Sequence, residues 1–179
     1  MSTWLAEPIA RLREIIEGTY PTSPVTGRST TAGRFVRATY RDDPSSPLWP
    51  GLGFHRAYLI TVQSTRDLPG AAANWRTGRV LKGVTFDVRV GYIVQPDSRE
   101  VADGSCPDEE SATQLGHEDA HEIEEALRWP DFWAGTTPSI SQIRPAGDMS
   151  TTLVLPRRRV FVTSRWDMTA DFAPGQSWT

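Results

Sequence analysis

Two histidines and a glutamate form the most chemically suggestive pattern in the chain. His117, Glu118 and His121 follow the spacing H-E-x-x-H. On a helix, residues four apart lie on one face, so both imidazoles can bind one zinc ion while the glutamate activates a water molecule. This chemistry would be metal-assisted hydrolysis, and it requires a helix to present the three side chains.

The pattern resembles the zincin metalloprotease signature, but its surroundings differ from those of that family. Zincins need a third ligand downstream, and no glutamate follows Glu125. Asp119 stands where zincins carry an apolar residue, and Pro130 ends the helix soon after His121. A solvated helix face that carries two histidines is the simpler interpretation. We therefore expect no catalytic residue and no cofactor, and we keep His117 and His121 only as candidates for incidental metal binding.

Two helices are predicted to frame the strands of this chain. The central helix should begin near residue 108, with Ser105 or Ser111 as its cap, and end at Trp129 before Pro130. An apolar stripe at helical spacing predicts the other helix over residues 4–17. Alternating or apolar stretches predict strands near 34–40, 55–63, 84–92, 140–144, 153–155 and 160–167.

The order of these elements predicts an α+β fold. Strands cluster between the helices without βαβ alternation, which favours a mostly antiparallel sheet with the N-terminal and central helices packed on one face. The chain of 179 residues suits one domain over 1–168, followed by a C-terminal arm over 169–179. Residues rich in Pro, Gly or acids predict loop insertions near 41–53, 67–78 and 95–110.

The composition excludes several classes of protein. No apolar run is long enough for a membrane span, and the first residues do not form a secretory signal. A single cysteine, Cys106, cannot form an internal disulfide, which fits a reducing cytoplasm. The net charge of −3 argues against a general nucleic-acid binder.

The charges are segregated along the sequence. Residues 97–125 contain eleven acids and one arginine, a charge of −10, so the remainder carries −3 + 10 = +7. Arginine supplies all cations but Lys82, which either reflects a GC-rich genome or suits bidentate pairing at interfaces. The segregation would let the acidic surface of one copy face the basic surface of another.

Several residues are candidates for contacts with other subunits or partners. Tryptophan and arginine are enriched at interface hot spots, and several of them fall in predicted loops. Each tryptophan could instead anchor its own loop, and the arginine run could be a solvated turn or contact DNA phosphates. The candidates are Trp49, Trp75, Trp178, Arg157, Arg158 and Arg159, with Glu118, Glu122 and Glu125 on the acidic side.

The order and spacing of the elements resemble the tail terminator proteins of long-tailed bacteriophages, also called tail-to-head joining or tail completion proteins. The residues that carry the resemblance are the helix over 4–18, the strand Val84–Tyr92, the helix Asp119–Leu127 and the closing strand Val160–Asp167. The resemblance implies an α+β fold and a hexameric ring. It also implies a structural, non-enzymatic role in the virion, assembled in the host cytoplasm.

The same resemblance implies the partners. They would be other copies of the chain, the tail tube protein and the head-connector or stopper protein, with DNA passing through the lumen without sequence-specific binding and no membrane contact. Two alternatives remain open. One is another neck component, such as a head-completion or stopper protein. The other is a small zinc-dependent hydrolase that uses His117, Glu118 and His121.

Overall fold

A computed structural model describes residues 3–19, 35–37, 56–68, 80–94, 106, 108–154 and 159–172. The two helices and the sheet confirm the predicted α+β class. In chain order, the elements are α1 (Ala6–Gly18, after a 3-10 turn at Thr3–Leu5), β1 (Val36–Arg37), β2 (Ala57–Asp67), β3 (Val80–Ile93), α2 (Glu109–Arg128, before a 3-10 turn at Pro130–Trp133), β4 (Ser139–Pro145), β5 (Ser150–Val154) and β6 (Arg159–Phe172).

The long antiparallel ladder between β3 and β6 forms the centre of the sheet. It runs without a break from Val80 opposite Phe172 to Ile93 opposite Arg159. The strand order is β1-β2-β3-β6-β4, and β5 pairs with the first half of β6 while β4 pairs with the second half. Among the described residues, β1 pairs with β2 in parallel, and an isolated parallel bridge joins Val94 to Cys106. The sheet is therefore mostly antiparallel, as predicted.

Both helices cover the same face of the sheet. The apolar set of β3 points into one core cluster with the buried stripes of α1 and α2, because successive strand residues alternate between the two faces. Removing such side chains from water stabilises the fold by about 1.5–3 kcal/mol for each large apolar residue. The core includes Leu12 and Ile16 of α1, Val84, Phe86, Val88 and Tyr92 of β3, Leu115, Ile123 and Leu127 of α2, and Trp166, Met168 and Phe172 of β6.

Helix α2 lies very close to the sheet at Gly116. A Cβ atom at this position would overlap Val162 Cγ2 and lie 3.0 Å from Tyr92 Cε2. Interiors at this packing density have no room for an added methyl group. The glycine therefore lets the next turn of α2 reach β3.

The predicted cap of α2 and several strand boundaries were wrong. Asp108, not Ser105 or Ser111, caps α2: the Ser111 backbone N–H donates to Asp108 Oδ1 at 2.7 Å. Strand β2 continues to Asp67, and β6 continues to Phe172, so residues 169–172 belong to the sheet and not to an arm. The polar residues of β6 alternate with buried Met168, Ala170 and Phe172, so the strand pattern continues beyond the predicted end at residue 167.

Other predictions lie outside the described residues. These are the arm over 173–179, the loop over 41–53, and most of the loops over 67–78 and 95–110. Of the strand predicted over 34–40, residues 35–37 are described, and Val36–Arg37 form β1.

Candidate interaction groove between the helices

The histidine pair lies on the solvent side of α2. His117 is exposed, and the His121 side chain is 68% exposed, with its Nε2 3.7 Å from Glu125 Oε1. Glu118 accepts a hydrogen bond from Gln114 Nε2 at 3.1 Å. Within the described ranges, no three His, Cys, Asp or Glu side chains are grouped so that they could hold a metal ion. Zinc hydrolysis stays an untested prediction, which stoichiometric zinc in the purified protein, lost in His117→Ala, would support.

Asp119 does not lie on a solvated face, contrary to the interpretation above. Its side chain is fully buried and accepts from Arg56 Nε at 2.6 Å, Arg56 Nη2 at 3.0 Å and the Tyr92 hydroxyl at 3.0 Å. Burial raises the pKa of Asp119, and the bonds from Arg56 and Tyr92 oppose that change. These contacts join α2 to β3 and to the start of β2, so Asp119 has a structural role.

The thiol of Cys106 lies near this buried cluster. Cys106 is fully buried, and burial raises its pKa to about 11. A thiol in this setting is almost wholly protonated at neutral pH and is a poor nucleophile. It adds no reactive group to the covered side of the sheet.

A groove of about 780 Å³ runs between α1 and the end of α2. Trp129 and Phe132 form part of its wall and remain 59% and 47% exposed. The 3-10 turn after α2 holds them there, because Trp133 is buried and its Nε1–H donates to the Leu127 carbonyl at 2.8 Å. The turn thus buries one aromatic ring while it presents two others to solvent.

The walls of the groove are acidic. Arg11 and Arg128 line it, but each pairs with a glutamate on its own helix: Arg11 Nη1 lies 2.8 Å from Glu14 Oε2, and Arg128 contacts Glu124. Glu122 and Glu125 add two further carboxylates to the lining. An apolar surface bordered by an excess of carboxylates suits a partner that is apolar and carries positive charge.

The structure brings together only some of the predicted interface residues. Glu122 and Glu125 line the groove, and Glu118 lies about one turn earlier on α2. Arg159 is only 8% exposed at the start of β6, so it offers little surface to a partner. The remaining candidates, Trp49, Trp75, Arg157, Arg158 and Trp178, lie outside the described residues.

Trp129 and Phe132 were not among the predicted interface residues. Trp129 was predicted only as the end of the central helix, although its spacing from Leu127 indicates exposure. Trp129 follows Leu127 by two residues, which at helical spacing places it almost opposite the buried stripe. Pro130 then breaks the helix, so the ring has no further turn to pack against.

The other face of the sheet carries no described helix, and it is polar around Asp87 and Asp167. Asp87 accepts from Arg165 Nε at 2.7 Å, from Arg165 Nη2 at 3.1 Å and from Gln63 Nε2 at 2.9 Å. Asp167 accepts from the Thr85 hydroxyl at 2.7 Å. Arginines at the outer strands approach Asp167 more loosely, at 3.7 Å for Arg66 and 3.8 Å for Arg144.

No protein-family model matches the sequence, and a search of curated proteins finds no match. In the described part of the chain, neither α1 nor α2 nor a shorter turn has the length and apolar character that crossing a membrane requires.

Proposed function

We propose that this chain is a structural virion protein that assembles into a ring, caps the tail tube of a long-tailed phage and joins it to the head connector. The observation that carries the proposal is the exposed aromatic pair Trp129 and Phe132 beside the acidic groove. The resemblance in element order to tail terminator proteins supplies the identity of the assembly.

The aromatic pair is unusual within its own domain. The other described tryptophans, Trp4, Trp133 and Trp166, are at most 8% exposed. Aromatic side chains each bury about 150–250 Å² when they enter an interface or core. Burial of Trp129 and Phe132 by another molecule would therefore contribute strongly to the binding free energy, as hot-spot residues do.

Contacts elsewhere in the domain fix the position of Trp129 and Phe132. The turn that carries Trp129 is fixed by the Trp133 hydrogen bond, and α2 is fixed to the sheet by Asp119 and by the close contact at Gly116. A preorganised surface loses little conformational entropy on association. This favours an assembly role in which the chain binds as a rigid unit.

The test is the state of the purified full chain in solution. Sedimentation and native mass measurements should give a hexamer, and image averages should show six-fold rings. The double variant Trp129→Gln/Phe132→Gln should keep the wild-type circular dichroism spectrum but sediment as a monomer. Glu110→Gln, an exposed change at the other end of α2, is the matched control and should leave the ring intact.

Function is tested by adding rings to tail tubes. Wild-type rings should bind tube ends and stop further tube growth, and the aromatic variant should not. Rings that bind only a head connector would instead favour another neck component. A wild-type chain that stays monomeric and ignores tube ends contradicts the proposal.

A further inference from the structure

The sheet has two outer edges, and both present backbone groups of a strand. At one edge, β1 pairs with Ala57 and Tyr58 alone, so within the described residues β2 carries no further strand from residue 59 onward. At the other edge, the same residues place no strand on the outer side of β4, whose inner side pairs with β6. An edge strand offers N–H and C=O groups that another strand can bind.

The two edges match each other in height and in direction. Pairing through β3 and β6 places residues 64–66 of β2 in the same three rows as residues 142–144 of β4. Both stretches are regular, because the register shift of each strand lies just before them. Three successive antiparallel pairings separate β2 from β4, so the two strands run in opposite directions. Copies related by rotation about an axis along the strands would therefore bring β2 and β4 together as an antiparallel pair.

Both edges also leave part of the core open. Ile60 and Val62 of β2 and Ile140 and Ile143 of β4 pack against the core but are only partly buried. All four lie on the face that the helices cover, since their partners on β3 and β6 are core residues. A strand placed against either edge would remove more of this apolar surface from water.

The arginines at the two edges point away from such a join. Arg66 Nη2 and Arg144 Nη2 lie 3.7 and 3.8 Å from Asp167 Oδ2, on a strand inside the sheet. Arg66 passes over β3 at Gly83, where an added Cβ atom would lie 3.3 Å from the Arg66 Cγ and Nε atoms. Each guanidinium therefore lies over its own sheet, and the two cations do not face each other across the edges.

We propose that β2 of one copy pairs with β4 of the next copy, so that the sheet continues from copy to copy around the ring. Backbone hydrogen bonds hold the join, and the half-buried aliphatic side chains of the two edges cover each other. Because the two edges differ and lie on one chain, the contact is head-to-tail, and rotation can close it into a ring. This inference rests on the proposed ring and adds the sheet edges to its interface.

Disulfide cross-linking of the full chain tests the join. Gln142→Cys on β4 is combined in turn with Thr61→Cys, Ser64→Cys and Arg66→Cys, which lie on the same face along β2. A link within one copy is excluded, because three strand spacings of about 14 Å separate the edges, whereas a disulfide joins Cα atoms about 4–7 Å apart. After oxidation, at least one pair should give a ladder from dimer to hexamer on a non-reducing gel. The wild type, whose Cys106 is buried, is the control and should give no ladder.

The single variants determine whether the contact is head-to-tail. Oxidised Ser64→Cys and oxidised Gln142→Cys should each remain uncross-linked, because each carries a thiol on one edge only. Their equimolar mixture should give dimers and nothing larger. Dimers from a single variant alone would show that an edge pairs with itself, which overturns the inference.

The outcomes also separate this inference from the proposed function. If the double variants form rings of wild-type size but none of them cross-links, the inference is wrong and the ring proposal stands. Cross-linked ladders that continue past the hexamer as open chains support the inference and contradict the closed ring. A wild-type chain that is monomeric, with double variants that do not cross-link, contradicts both.

Discussion

On each side of the sheet, an aspartate accepts two hydrogen bonds from one arginine, and the surroundings of the two pairs are opposite. Under α2, Asp119 and Arg56 meet at 2.6 and 3.0 Å with side chains that are 0% and 7% exposed. On the open face, Asp87 and Arg165 meet at 2.7 and 3.1 Å with side chains that are 13% and 51% exposed. The hydrogen bonds of the two pairs have nearly the same lengths, but water reaches only the second pair.

This difference determines what each pair does for the fold. On the open face, water and salt screen the attraction, so the pair adds little. Under α2, both ions have lost their hydration, and each depends on the other. Arg56 also adopts φ 60°, in the left-handed region, and its bonds to Asp119 help to hold that backbone in place. The buried pair thus fixes how α2 docks on the sheet.

The largest effect is expected from Asp119→Ala. The change leaves the Arg56 guanidinium buried without its carboxylate, which should lower the free energy of unfolding by about 3–5 kcal/mol. Urea denaturation followed by circular dichroism measures this loss.

Removing both ions together is the control. The double variant Arg56→Met/Asp119→Leu replaces the pair with apolar side chains and should be far more stable than Asp119→Ala, because no buried charge remains. If the single and the double variant lose equal stability, then the loss comes from altered packing and the comparison between the faces fails.

The fold was easier to predict than the site. The periodicity of a sequence indicates which side chains are buried, but it does not indicate which residues they contact. Alternation over Val84–Tyr92 and the stripe through Leu115 and Ile123 placed the central strand and α2 correctly. The same stripe also covers Asp119, which lies one turn after Leu115 and one turn before Ile123. Because Asp119 is charged, the sequence predicted that it faces solvent. Its burial is stabilised by Arg56, which is distant in the sequence, and a single sequence does not show that pairing.

The groove was missed for a related reason. Trp129 and Phe132 are apolar, and apolar residues near a helix end are usually expected in the core. Their exposure depends on the turn after Pro130, where Trp133 takes the buried position. Which of three nearby aromatic rings is buried follows from the turn geometry, and composition alone does not show it.

A smaller effect is expected from Asp87→Asn on the open face. The change removes the charge of a carboxylate that accepts hydrogen bonds from Arg165 and Gln63. Water can replace part of the lost interaction with each of these residues. We expect a loss of about 1 kcal/mol in low salt. The loss should shrink further at 1 M salt, where screening acts within a few ångströms. A loss as large as that of Asp119→Ala, unchanged by salt, would show that the two faces do not differ in the way argued above.

Asp108 extends the comparison to a fully exposed carboxylate, and its effect should be the smallest. It caps α2, and hydrogen bonds from Ser111, first from its backbone N–H, lower the pKa of this carboxyl group. A lowered pKa in the folded state means that the contribution is present above the unfolded pKa of about 3.9 and is lost as the pH falls through the folded value. Asp108→Ala should therefore be less stable than the wild type at pH 7, and the difference should narrow at pH 3.

Asp108→Asn separates the charge of this cap from its hydrogen bond. The amide oxygen can still accept from the Ser111 N–H, since asparagine is as good a cap as aspartate. It lacks only the attraction of a carboxylate to the positive end of the helix dipole. We expect this variant to lie between the wild type and Asp108→Ala at pH 7 and to show a weaker pH dependence than the wild type in urea denaturation. If the stability of Asp108→Asn falls with pH as steeply as that of the wild type, the titrating group is not Asp108. The charge of this exposed carboxylate would then contribute even less to the free energy of unfolding than the charge of Asp87 does.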